Sequence, residues 1–227
     1  MENNQEVFDA RARALTQEIL ATLFAKNGLP RKINSLRQAS EVPIERRSEG
    51  SYSLVDHIAQ MPGVAKIEIL RPQTDNVPEG FSSYYERFAR KEGDIVRVVL
   101  LRDFNYCESR FYIAKELLHY CLDKTDDVRI RDMARFDTVV QELITDNLDP
   151  LEGATMADRA ARSGALELLI PHCWLPFLIR IHRAAMPILP WETEVISLRI
   201  AHILRVQSRL LNAHVFSHLW IRDAARK

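Results

Sequence analysis

Residues 94–123 read DIVRVVLLRDFNYCESRFYIAKELLHYCLD, and the change of pattern inside this stretch decides the fold. Asp94 to Leu101 concentrates β-branched residues in a run of strand length, the composition that suits a pleated, buried surface. From about residue 108 to 123, apolar and aromatic side chains occupy nearly every position, which predicts a helix buried on most of its sides. A strand is thus followed at once by a core helix.

Working outward, Val7, Phe8, Leu15, Ile19, Leu20, Leu23 and Phe24 recur at helical spacing over residues 6–26, and Gly28 with Pro30 supplies the stop. Residues 30–50 are polar, carry two prolines and hold no period, which predicts a linker or surface arm. A short helix over 54–60 and a strand over 65–70 follow, with Gly63 turning the chain between them. Residues 72–94 contain Pro, Asn and Gly and then Tyr84, Tyr85 and Phe88, and read as a loop followed by a short helix. Beyond 123 helical patterns dominate, at about 132–148, 155–169, 173–183 and 192–214. Strands first and helices afterwards predict an α+β chain, a small sheet packed against a predominantly helical domain, and not alternating βαβ units. The expected division is 1–50, an N-terminal helix and polar linker, and 51–227, the main domain with a C-terminal helical extension.

Composition narrows the function. Thirty-one basic residues balance thirty-one acidic ones, so the chain lacks the electrostatic footprint of direct nucleic-acid or anionic-membrane binding. Cys107, Cys121 and Cys173 are odd in number and form no CxxC pair, as expected of reduced thiols. Charges are spread through MENNQEVFDARARAL where a secretory signal needs an apolar centre, and the apolar runs at 170–179 and 184–191 fall far below a bilayer span. A cytoplasmic protein without membrane segments is the expectation. No GxSxG, P-loop or GxGxxG is present, which leaves serine hydrolases, NTPases and dinucleotide enzymes without support.

The polar residues of the central helix are few. Lys115 and Glu116 both lie one turn before His119, and Asp123 continues the row. Charges cost several kcal/mol to bury unpaired, so the cluster of Lys115, Glu116 and His119 on an otherwise apolar helix suggests a lined cleft. Spacing alone is equally compatible with a row that faces water. His214 and His218 form another i, i+4 pair, but no acidic residue lies between them.

The segment Arg110 to Leu122, RFYIAKELLHYCL, resembles the zinc-peptidase helix of the ImmA/IrrE family, which typically reads approximately RFTLAHELGHLLL. Asp158 to Pro171, DRAARSGALELLIP, is similar to the family's downstream EREANRFAAELLMP. The helix and strand upstream of 72, and the strand that ends before the motif, also suit that family. The resemblance implies a zincin-like domain over roughly residues 50–215.

It also implies what this chain has lost. HExxH chemistry holds Zn²⁺ between two neutral imidazoles one turn apart, with the intervening Glu as general base. Here Lys115 stands where the first imidazole would be, and an ammonium has no lone pair to donate. The family's third ligand, a downstream Glu, aligns with Ala160, and Asp158 lies two residues earlier. Lys115, His119, Asp158 and Ala160 are therefore the former metal-site positions, and neither metal nor other cofactor is expected. The implied function is a catalytically inactive relative acting as a protein-binding or regulatory module, its partner a helix-turn-helix transcriptional regulator. The alternative is an active zinc endopeptidase with a substituted ligand set, His119 with Asp158 or Asp146 and His172, and Glu116 as base. In the inactive reading the Lys115 ammonium needs a carboxylate, and Glu142, Asp146 or Asp158 are better placed than Glu116, because neighbouring helix positions point apart.

Overall fold

The structure, a computed structural model, describes residues 2–33, 42–45, 50–72, 82–123, 152–185, 198–208, 210 and 211. The helix expected over 132–148, with Glu142 and Asp146, and the pair His214 and His218 lie outside the described residues. The described chain runs α1 (Glu2–Asn27), α2 (Leu54–Ala59), β1 (Val64–Leu70), β2 (Ser83–Arg90), β3 (Gly93–Leu100), α3 (Tyr106–Asp123), α4 (Glu152–Leu169), a 3₁₀ turn (His172–Trp174), α5 (Leu175–Ala185) and α6 (198–204). It is an α+β fold.

The three strands form one mixed sheet in the order β1-β3-β2, with β1 parallel and β2 antiparallel to β3. Residues 83–90 are a strand and not the short helix expected around Tyr84, Tyr85 and Phe88. Their side chains alternate between two faces. Tyr84, Glu86 and Phe88 turn outward, where Glu86 pairs with Arg97 and the Arg97 guanidinium lies over the Phe88 ring. Ser83, Tyr85 and Arg87 turn inward towards α3, as the contacts below show. Two residues, Lys91 and Glu92, connect β2 to β3, and Gly93 follows at φ +124°. A β-carbon there would stand 3.0 Å from the Gly63 carbonyl oxygen, so both the backbone angle and the close approach require glycine.

α3 starts at Tyr106 because Asn105 and Glu108 cap it reciprocally: Glu108 N–H donates to Asn105 Oδ1 at 3.0 Å, and Asn105 N–H to Glu108 Oε2 at 3.1 Å. Ile113, Leu117, Leu118 and Tyr120 of this helix are fully or almost fully buried. The inner sheet face, Val96, Val98 and Leu100, packs on one side of α3 and α4 on another. α4 comes close because Ala157, Ala160, Ala161, Gly164 and Ala165 present little but backbone. α1 packs against the same helix, and its Ile19, Leu23 and Phe24 join the same core, where Phe24 stacks on Trp174.

Arg110 is 1 % exposed. Its guanidinium donates to the carbonyls of Leu204 and Arg205 at 3.0 and 2.8 Å and to that of Val42 at 2.8 Å. A buried cation thus closes the C-terminal end of α6, where free carbonyls gather. The helix expected over 192–214 is interrupted at this place, with Arg205 at φ +50°. No helix among the described residues is long and apolar enough to cross a membrane.

Candidate functional site

Three elements bring their polar side chains to one place. α3 offers Lys115, Glu116, His119 and Asp123; α4 brings Asp158 and Arg162; β2 adds Ser83 and Tyr85. The Lys115 ammonium, 9 % exposed, lies 2.8 Å from Glu116 Oε1 and 3.0 Å from Asp158 Oδ1. Ser83 Oγ donates to the same Glu116 oxygen at 2.6 Å. Asp158 is held a second time by Arg162 one turn later, Nε to Oδ2 at 2.8 Å. His119 lies between carboxylates, with Nδ1 3.9 Å from Glu116 and Nε2 3.5 Å from Asp123. Tyr85 sets its ring edge-on against His119 and donates its hydroxyl to Asp123.

The row on α3 therefore faces a partly enclosed polar seam between β2 and α4. Glu116 is a partner of Lys115 after all. Neighbouring helical positions diverge by about 100° at Cβ, but the four-carbon stem of lysine and the two methylenes of glutamate curl back across that gap. Among the described residues, Asp158 is the partner that a following helix supplies. Ala160, fully buried, faces the packed interior. His172 is remote: it begins the turn after α4, is exposed, and its N–H donates to Glu167 at 2.8 Å. The rise along α4 from Asp158 to Leu169 alone is about 16 Å.

Protonation follows from these contacts. Burial works against the charged form of Lys115, but Glu116 and Asp158 outweigh it and hold its pKa above the ordinary lysine value. Burial likewise opposes ionisation of Glu116, yet His119, Lys115 and Ser83 hold the carboxyl below its usual range. Asp158 is lowered in the same way: burial opposes, while Lys115 and Arg162 prevail. His119 is raised against its burial by Glu116 and Asp123. Tyr85 is raised by burial and by the Asp123 carboxylate beside it.

This donor set does not fit zinc. A zinc ligand must present a lone pair; Lys115 is held as an ammonium, both of its carboxylates are already engaged, and His119 is biased towards imidazolium. Among the described residues no group of three or more His, Cys, Asp or Glu is arranged to hold a metal.

Ser83 and Tyr85 were not legible as site residues. Their signal was the period-two alternation Ser83, Tyr85, Arg87, masked by the Pro and Gly just upstream and by the aromatic cluster. No protein-family model matches the chain, and no curated protein matches it.

Proposed function

We propose that the chain is a catalytically inactive relative of the ImmA/IrrE-type metallopeptidases, with a zincin-like domain that works in the cytoplasm by binding a protein partner. One observation carries the reading: at the position of the first zinc-binding imidazole stands Lys115, its ammonium bonded to Glu116 and Asp158. A fixed positive charge among the would-be ligands repels a divalent cation, and the carboxylate that would act as base is neutralised.

The partner of this module is a helix-turn-helix transcriptional regulator, bound and not cleaved. Elemental analysis of protein purified without chelator, run beside a peptide-hydrolysis assay, tests the inactive reading. No stoichiometric zinc and no hydrolysis are expected; zinc at one per chain with hydrolysis abolished by Glu116→Gln would overturn it. Cross-linking in the native host tests the partner, with an intact helix-turn-helix regulator as the expected product.

A further inference from the structure

We infer that Lys115 is an internal cation that bolts the edge strand β2 to the helices, so that β2 is the strand whose docking on the domain is set by charge and not by apolar burial. This stands on the geometry alone and does not depend on the family reading.

The three strands contrast on their inner faces. β1 turns Ile67 and Ile69 into the core, and β3 turns in Val96, Val98 and Leu100. On the same face β2 presents Ser83, Tyr85 and Arg87, in register with Leu100, Val98 and Val96 of β3. Every one of the three ends on a carboxylate: Ser83 on Glu116, Tyr85 on Asp123, and Arg87 on Asp94, which also accepts from Tyr120 at 3.0 Å. The Tyr85 ring is the main apolar contribution of β2 to the interior.

Of these carboxylates Glu116 is the most deeply buried, its side chain 2 % exposed. An isolated carboxylate at that depth would protonate or draw in water. The Lys115 ammonium keeps it anionic, and an anionic Oε1 is what holds the Ser83 hydroxyl at 2.6 Å. Asp158 and, behind it, Arg162 complete the charge balance from α4. One ammonium therefore ties β2, α3 and α4 together, the cross-linking that a bound metal gives to other domains.

Native-state hydrogen exchange on the intact chain tests this. In Lys115→Met, the β2 amides bonded to β3 should exchange at least about tenfold faster relative to those of α3, because β2 opens separately from the core. Ser83→Ala, which removes only the strand's end of the bolt, should accelerate the same amides to a smaller degree. Should Lys115→Met fail to fold, the triple variant Lys115→Met, Glu116→Gln, Asp158→Asn keeps the shape without charge, and it should fold with β2 exchange still accelerated. Uniform acceleration of β2 and α3 together, or unchanged β2 exchange in Ser83→Ala, would overturn the inference.

Discussion

Replacing Gly164 by alanine tests how closely the three core helices meet. On an exposed helix this change gains about 1 kcal/mol, since alanine loses less backbone entropy. At this position the new β-carbon would stand 2.7 Å from Thr16 Oγ1 on α1 and 2.9 Å from Leu118 Cδ1 on α3. Comfortable contacts between such atoms begin near about 3.5 Å. Thr16 is 0 % exposed and Leu118 1 %, so neither can swing aside into solvent. Overpacking of this kind costs about 1–3 kcal/mol. Taking the middle of that range and subtracting the helix gain leaves a net loss of about 1 kcal/mol. Urea denaturation measures it, at unchanged m-value. Thr16→Ala provides the companion variant: it deletes the nearest atom of the clash, a hydroxyl that finds no hydrogen-bond partner among the described residues. Gly164→Ala should therefore cost less in the Thr16→Ala background. If Gly164→Ala instead stabilises the wild-type chain by the full helix increment, the helices do not approach this closely.

Leu118→Ala should cost about 2–5 kcal/mol as a core truncation, and because Leu118 is one of the two atoms' owners at Gly164, unfolding measurements on the double variant should show the two costs to be less than additive. Arg110→Met leaves the carbonyls of Val42, Leu204 and Arg205 without their buried donor; a loss of about 3 kcal/mol or more by denaturation, with faster amide exchange in α6, is expected. Stability should depend on pH in two opposite senses. Glu116 and Asp158 are depressed in the folded chain, so they stabilise it above about pH 4 and that contribution fades on acidification through their lowered values; His119 is raised, so its contribution is complete below about pH 6.5 and fades as pH rises through its folded value. Comparing wild type with Lys115→Met along a pH series, the deficit of the variant should shrink towards pH 4 and below, since both carboxylates then need the ammonium less; a deficit that stays constant with pH would contradict the assigned pairing.

How much of this was legible differs from element to element. α3 and β3 were readable because local pattern and tertiary role agree: a dense apolar helix and a β-branched run have few other places to go than the core. The short helix α2 and the strand β1 were expected close to where they lie, and the structure adds the Ser53 and Asp56 capping box that starts α2. β2 was not readable, since its identity as a strand is decided by β3, whose antiparallel register fixes which of its polar residues face α3. The interruption at Arg205 was equally hidden, because its carbonyls are held by Arg110, far away in the sequence.

The sequence by itself determined that Lys115, Glu116, His119 and Asp123 share one stretch of a buried helix, because helical periodicity is a local property of the backbone. It also determined that an ammonium-bearing side chain, Lys115, lies one turn before His119, because that is a matter of residue identity. Which carboxylates neutralise Lys115 was left to the tertiary structure. Asp158 reaches it only because α4, thinned by its alanines and Gly164, lies close against α3; Ser83 reaches Glu116 only because β2 pairs at the sheet edge. Charges pair through space, and the distances that decide their protonation are set by the packing of elements that no local pattern encodes.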